Sequence, residues 1–151
     1  MTDPHPGTLS PVEVSCSIAA RGCMRADATE LKRLRKQPGT RAGKPFPPTL
    51  LKHSDDQSVA AVTVLAQTLQ RHGWDGGCFR DWGVIAAPIL FGRFGNEAAM
   101  RRYLSEGAWG ISPHMIPHHS LHAVSGTVSQ AWGVHGPNFG VGGGPQAAGS
   151  V

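Results

Sequence analysis

Four histidines form the densest group of potential ligands in this sequence of 151 residues. They are His114, His118, His119 and His122. Imidazoles three or four residues apart can bind one metal ion. Pro117 interrupts a helix through the group, however, and no Cys, Asp or Glu follows Glu106 to complete a site nearby. We therefore expect solvated or interface histidines, with no metal and no cofactor.

The sequence also contains three possible thiol nucleophiles, Cys16, Cys23 and Cys78, which form no CxxC pair. A serine elbow of the GxSxG type is absent, because Ala123-Val124 precedes Ser125-Gly126. Cys78 stands just before a predicted strand with no histidine beside it, so we expect a loop or buried thiol. The first residues do not form a secretory signal pattern. Free thiols in the cytoplasm are therefore the simplest interpretation.

The glycine-rich end of the sequence resembles a phosphate-binding turn only loosely. Gly142, Gly144 and Ala147 match the form GxGxxA. That chemistry requires a helix amino terminus aimed at the phosphates and an acidic residue about twenty positions further on. The sequence ends at Val151 and has no Gly-Lys-Ser/Thr motif. We therefore do not expect nucleotide binding.

The first half of the chain contains the elements that would position these residues. Residues 1–11 are rich in proline and are expected to be loose. Residues 12–18 alternate between apolar and polar types, which predicts a half-buried strand. Asp27 begins a predicted helix that ends near residue 36, followed by a loop over 38–49. Ser54 and Gln57 have the spacing of a capping box, which predicts a long helix from about residue 55 to 72.

The second half continues the alternation of strands and helices. Its predicted elements are a strand over 82–90, a helix from Asn96 to Ser105 or Glu106 that Gly107 ends, a helix over 121–132 between Ser120 and Gly133, and a short strand over 138–141. The 82–90 run is continuously apolar, which is typical of a strand buried on both faces. Together the elements predict an α/β fold with a layered sheet.

The charge of the chain, formally +4, is unevenly distributed. Nine of the fourteen basic residues lie between Arg21 and Lys52, and no charged side chain follows Glu106. Because a solvated surface rarely lacks charges over such a length, we expect this last third to be buried in the fold or against a partner. A flexible tail is the alternative. No nucleic-acid motif and no apolar run of the roughly 20 residues needed for a membrane span are present, so we expect neither partner.

Residues 111–148 contain a series of motifs in a fixed order: ISPHMIPHHSLHAVSGTVSQAWGVHGPNFGVGGGPQAA. Ser112-Pro113 is followed by the small pair Ser125-Gly126, then by Gly136-Pro137 and a predicted strand. This order and spacing resemble the amino-terminal half of the β-ketoacyl synthases, the condensing enzymes of fatty-acid and polyketide synthesis. The helix over 54–72 and the strand after it resemble the family's first long helix and following strand.

The resemblance implies a thiolase-like layered fold, of which residues 12–151 would form the amino-terminal half only. In that alignment Pro145 occupies the position of the family's nucleophilic cysteine, or Gln146 does if the register shifts by one. Proline has no thiol with which to form an acyl-enzyme. Glutamine at this position resembles the chain-length-factor partners of some polyketide synthases. The family's two catalytic histidines belong to the other half, and none of the histidines here matches them.

The resemblance therefore implies a ketosynthase-like subunit without a catalytic nucleophile, and leaves open whether the protein is an enzyme. Such a subunit would pair with a ketosynthase subunit or with itself, and an acyl carrier protein is a further candidate partner. The candidates for its interface or acyl tunnel are His122, Trp132, Asn138 and Phe139. An inactive truncated remnant or small interaction protein is the main alternative. The second is an acyltransferase that uses another residue, such as Cys78.

Overall fold

A computed structural model describes residues 15–88, 93–113 and 115–142 of the chain. Within these ranges it has mixed α and β structure, with five α-helices, one 3₁₀ helix and two sheets of two strands each. The elements in chain order are α1 Ala28–Lys36, β1 Thr40–Arg41, β2 Lys44–Pro45, α2 Asp56–Arg71, β3 Val84–Ala86, α3 Arg93–Glu106, the 3₁₀ helix Gly107–Gly110, α4 Met115–His119, α5 Ala123–Trp132 and β4 Asn138–Gly140.

Side-chain caps begin the first two helices. The Asp27 carboxylate accepts a hydrogen bond of 2.8 Å from the Glu30 backbone N–H, which confirms the predicted start of α1. In α2 the cap is Asp55, whose carboxylate accepts from the Ser58 N–H at 2.8 Å. The prediction of Ser54 as the cap is wrong by one residue, because the Ser54 hydroxyl donates to the Leu50 carbonyl instead.

The core lies where α1, α2 and α5 pack together. Trp132, at the end of α5, is 2% exposed and packs edge-on against Phe46, with ring centroids 5.1 Å apart. The other buried members of this cluster are Leu34, Leu51, Val59, Val62, Ala66, Leu69, Phe79, Val128 and Ala131. The members of the cluster on α2 have the spacing of one helix face, as the sequence predicts. They are Val59, Val62, Ala66 and Leu69.

The strands β3 and β4 form a parallel pair in which Ile85 lies opposite Phe139. Backbone hydrogen bonds continue past both ends of the pair: the His135 N–H donates to the Arg80 carbonyl, and the Val141 N–H to the Ala86 carbonyl, each at 2.8 Å. Parallel strands require a crossover connection. Here the chain from α3 to α5 supplies it, and α5 packs against both strands. The α/β prediction is confirmed in this coarse form.

Two predicted strands differ from the structure. Residues 15–18 form no strand, and Ile18 is 88% exposed. A period-two pattern makes a strand only where another backbone pairs with it, and residues 15–18 pair with neither of the two sheets among the described residues. Within the described residues of the 82–90 run, the strand is Val84–Ala86, and Ile85 in its centre is exposed. The strand ends before Pro88, which lacks the N–H needed to continue the ladder.

Two helix starts also differ from the predictions. Helix α3 begins at Arg93, so Asn96 lies inside the helix and does not cap it. Helix α5 begins at Ala123, after a turn that contains Ser120. The ends at Gly107 and Gly133 are confirmed, because both glycines adopt the positive φ that ends a helix.

Pro117 does not separate the histidines as predicted, because it lies in the first turn of α4, where a missing N–H is tolerated. Helix α4 ends at His119, and His122 lies in the turn between α4 and α5. His114 lies outside the described residues.

The uncharged last third of the chain is only partly buried over the residues described. The helix α5 contributes Ser125, Val128 and Trp132 to the interior. In contrast, Trp109 in the 3₁₀ helix is 99% exposed. The expectation of general burial therefore holds for α5 and fails at Trp109 and at Phe139, which is 56% exposed. None of the helices in the described ranges is both long and apolar enough to span a bilayer.

Candidate functional site

The parallel strands β3 and β4 have one covered face and one uncovered face. Side chains alternate between the two faces of a strand, so Val84 and Ala86 lie on one face and Ile85 on the other. The first two face α5: Val84 packs against the core cluster and Ala86 is buried. Ile85 is 59% exposed. Helix α5 therefore covers only one side of β3.

The same alternation holds in β4. The Asn138 side-chain amide donates a hydrogen bond of 2.9 Å to the Ser129 hydroxyl on α5. Phe139 points to the opposite face and is 56% exposed. Because Ile85 and Phe139 are register partners, their side chains lie next to each other. We call this pair the open sheet face.

Two glycines allow the backbone to approach closely enough to build this sheet. A Cβ atom at Gly136 would overlap the carbonyl oxygen of Trp82, and one at Gly140 would overlap the carbonyl oxygen of Leu121. Between them, the Pro137 carbonyl accepts a hydrogen bond of 2.8 Å from the Val84 N–H. The Gly136-Pro137 motif therefore has a direct structural role, which is to lead the chain into β4 alongside β3.

The adjacent side chains of Ile85 and Phe139 form a small apolar patch on this sheet. Burial of such side chains contributes about 25 cal/mol per Å² of apolar area, so leaving them in water forgoes that stabilisation. Neither β3 nor β4 has a second neighbouring strand within the described residues. Within the described part of the chain, the face and the edges of this pair are therefore open to another layer of structure.

The structure distributes the predicted interface residues over three environments. Phe139 lies on the open sheet face, and Asn138 lies on the covered face, where its carbonyl Oδ1 is buried without a hydrogen-bond partner. His122 is exposed just before α5, and its backbone carbonyl accepts from the Gly126 N–H at 2.7 Å. Trp132 belongs to the core, so its contacts are internal. Pro145 and Gln146 lie outside the described residues.

Sequence reasoning missed Ile85 as a site residue. The apolar run around it predicts burial on both faces, and only the register with β4 shows which face stays uncovered. The available signal was the run itself, because it contains more apolar residues than a strand packed on one side needs.

The surroundings of Cys78 meet only part of what the acyltransferase alternative requires. Its thiol is exposed in a cleft of about 500 Å³ whose apolar lining comes from Trp74, Phe79 and Trp82. No histidine lines this cleft among the residues described. The structure therefore offers room for an apolar group beside the thiol, without a base to activate it.

The described residues contain no group of three or more His, Cys, Asp or Glu side chains arranged to hold a metal ion. Among the histidines, His53 and His118 lie near each other, with ring centroids 6.0 Å apart. The open sheet face is an exposed apolar pair on the only parallel sheet among the described residues. No protein-family model, no curated protein and no solved structure matches this chain.

Proposed function

We propose that this chain is a non-catalytic, β-ketoacyl-synthase-like subunit that pairs with an active condensing enzyme through its open sheet face. The observation that carries the proposal is that β3 and β4 are covered by α5 on one face and leave Ile85 and Phe139 uncovered on the other. The apolar run around β3 is typical of a strand buried on both faces. A partner layer would supply the second covering.

The order of elements supports the comparison with the condensing enzymes. Strand β3 is followed by a helical crossover, by Gly136-Pro137 and by a parallel strand β4. In the family this second strand leads to the sharp turn that holds the nucleophilic cysteine. Here the corresponding position is Pro145, or Gln146 with a shift of one. The thiolase-like layering is part of the proposal.

Without a thiol at that turn, this chain forms no acyl-enzyme of its own by the family's route. Its contribution would be to complete the sheet of an active subunit and to shape the acyl site beside it. The acyl carrier protein would then deliver substrate to the active subunit. We place the pair in the cytoplasm, where the exposed thiols of Cys16, Cys23 and Cys78 stay reduced.

Co-expression with a ketosynthase encoded beside this chain tests the proposal. We expect the two proteins to co-elute in size-exclusion chromatography and the product chain length to differ from that of the ketosynthase alone. Phe139→Asp places a charge on the open sheet face and should weaken association at least about tenfold. Ile18→Asp is the matched control, because Ile18 is exposed in an irregular segment, and it should leave association unchanged.

Two results would overturn the proposal. The first is the absence of both co-elution and a change in product length. The second is equal behaviour of Phe139→Asp and Ile18→Asp, which would show that the open sheet face does not hold the partner. If the chain pairs with itself instead, sedimentation of the purified protein will show a dimer that Phe139→Asp dissociates.

The acyltransferase alternative is tested separately at the aromatic cleft. Incubation with an acyl thioester followed by intact-mass measurement would reveal a covalent adduct on the chain. An adduct that disappears in Cys78→Ala but persists in Cys23→Ala would assign transfer chemistry to this thiol. It would also contradict the non-catalytic role. We expect no stable adduct, because no base lines the cleft among the described residues.

A further inference from the structure

A second concave site lies between α3, the 3₁₀ helix and α4, away from the sheet. This cleft has a volume of about 310 Å³. One group of its lining residues is basic: His53, Arg102 and His119. A second group is apolar: Ala98, Ala99, Ile111 and Met115. No acidic side chain is among its lining residues in the described part of the chain, and the Glu106 carboxylate lies beside it, 3.5 Å from the Arg102 guanidinium. We call it the basic cleft.

Two glycines bring the walls of the basic cleft together. A Cβ atom at Gly110 would lie 3.0 Å from the carbonyl oxygen of Arg102, so the 3₁₀ helix packs closely on the end of α3. A Cβ atom at Gly95 would overlap the imidazole ring of His119, so α4 can place this ring directly against α3. The side chains of α3 and α4 thus face a common space.

The two neighbouring arginines of α3 differ in how well they are paired. Arg101 makes an ion pair of 2.8 Å with Glu97 and does not line the cleft. Arg102 lies 3.5 Å from the nearest carboxylate oxygen of Glu106, which is longer than the usual 2.7–2.9 Å of a charge-assisted hydrogen bond. The Arg102 guanidinium has five N–H donors. It can therefore donate to a ligand in the cleft.

The His119 ring also lines the basic cleft. Its Nδ1 atom is shielded from solvent and has no hydrogen-bond partner in the structure. A buried polar atom without a partner is costly, and most such atoms in folded proteins are satisfied. The His119 ring therefore has unused hydrogen-bonding capacity at the wall of the basic cleft formed by α4.

We propose that the basic cleft binds a small organic carboxylate with an apolar body. The planar guanidinium of Arg102 matches a carboxylate through two parallel hydrogen bonds, and the imidazoles of His53 and His119 add further polar groups around it. The carbon chain of the ligand would lie against Ala98, Ile111 and their apolar neighbours. This proposal does not depend on the proposed function, because the cleft shares no residue with the open sheet face.

Titration of the full chain with hexanoate, followed by NMR of the backbone amides, tests the proposal. We expect saturable shifts at Ala98, Ala99 and Ile111. Hexanol has a similar body without the charge, and inorganic phosphate has charge without the body. Each should bind at least about tenfold more weakly than hexanoate, because it makes only one of the two kinds of contact.

Two neighbouring substitutions on α3 provide the matched comparison. Arg102→Gln should weaken hexanoate binding about tenfold, since it removes the charged donor. Arg101→Gln should change binding by less than about twofold, because its ion pair is exposed and lies outside the cleft. Both side chains are mostly exposed, so the helical circular dichroism of both variants should match that of the parent chain.

Three outcomes would overturn the proposal. One is a lack of saturable hexanoate binding, and another is equal loss of binding in Arg101→Gln and Arg102→Gln. The third is phosphate binding as tight as that of hexanoate, which would show that the apolar wall contributes nothing. None of these outcomes bears on association through the open sheet face, so the two proposals fail independently.

Discussion

The helices α2 and α3 are similar in length, with 16 and 14 residues, but they are stabilised differently. The buried residues of α2 are Ser58, Val59, Val62, Thr63, Ala66, Thr68 and Leu69. Within residues 95–106 of α3, no side chain is buried, and Met100, Tyr103 and Leu104 are exposed. Helix α2 is thus central to the core, whereas most of the surface of α3 is exposed to solvent.

This difference shows where the stability of the fold comes from. Helices of this length are marginal by themselves in water and depend on tertiary packing. Helix α2 has that packing together with a side-chain cap. Helix α3 has packing against the 3₁₀ helix and α4, along with the exposed ion pairs Glu97–Arg101 and Arg102–Glu106. We therefore expect local opening of α3 to need less free energy than opening of α2.

The largest difference between α2 and α3 is expected in the free energy of unfolding when one leucine of each helix is truncated. Leu69 in α2 is 6% exposed, and Leu104 in α3 is 78% exposed. Leu69→Ala should lower the free energy of unfolding by about 2–5 kcal/mol, because it removes buried methyl groups and leaves a cavity. Leu104→Ala should change it by less than about 0.5 kcal/mol. Urea denaturation of both variants measures the difference.

A comparable loss in the two variants would break the contrast, since it would mean that Leu104 is covered in solution. A partner or a second copy bound over α3 would have that effect. Repeating the denaturation over a range of protein concentrations would identify self-association, because only then does the midpoint depend on concentration.

A smaller effect is expected from the cap of α2. Asp55→Ala removes the carboxylate that accepts the Ser58 N–H, so the free energy of unfolding should fall by about 1 kcal/mol. Asp55→Asn keeps an acceptor at the same place and should recover most of this loss. Thermal unfolding followed by circular dichroism measures both. Equal losses in the two variants would show that the charge of Asp55, and not its hydrogen bond, stabilises α2.

The exposed ion pair of α3 should contribute still less. Glu97→Gln removes the partner of Arg101, and we expect a loss of about 0.3–0.5 kcal/mol confined to α3. Amide hydrogen exchange of α3, compared with that of α2, measures this local change. The difference between parent and variant should shrink in high salt, because salt screens exposed charges. An effect that is unchanged by salt would contradict an electrostatic origin.

The smallest predicted effect is a pH dependence on α1. A hydrogen bond from Arg33 lowers the pKa of Glu30 from its ordinary value. Because the pKa is lower in the folded state, the pair's stabilisation is complete above the ordinary glutamate pKa and is lost as the pH falls through the lowered value. NMR titration of the Glu30 carboxyl should show the lowered midpoint, and Arg33→Gln should restore the ordinary one. An unchanged midpoint in that variant would assign the shift to another group.

Features set by local interactions could be predicted from the sequence. The cap at Asp27, the apolar face of α2 and the left-handed glycines after α3 and α5 depend on residues close together in the chain. The pairing of strands could not be predicted in the same way, since it depends on which distant segment is available. Residues 15–18 illustrate this, because their alternating pattern has no partner among the described residues and forms no strand.

The candidate site follows the same division. Phe139 was predicted from the motif that precedes it, but its neighbour Ile85 was not, because only the register of β3 with β4 brings the two together. The basic cleft was also beyond sequence reasoning. Its residues come from the segment before α2, from α3, from the 3₁₀ helix and the two residues after it, and from α4, and only the packing of these elements places His53 and Arg102 in one cleft.

The parallel pairing of β3 with β4 also has a consequence during synthesis of the chain. The first strand leaves the ribosome well before the second, and all of α3, α4 and α5 must follow before the ladder can close. Long-range parallel pairing is slow to form, and an apolar strand is prone to aggregation until it is paired. Variants that delay closure, such as Gly140→Ala, should therefore reduce the yield of native protein in cells and favour its recovery from inclusion bodies.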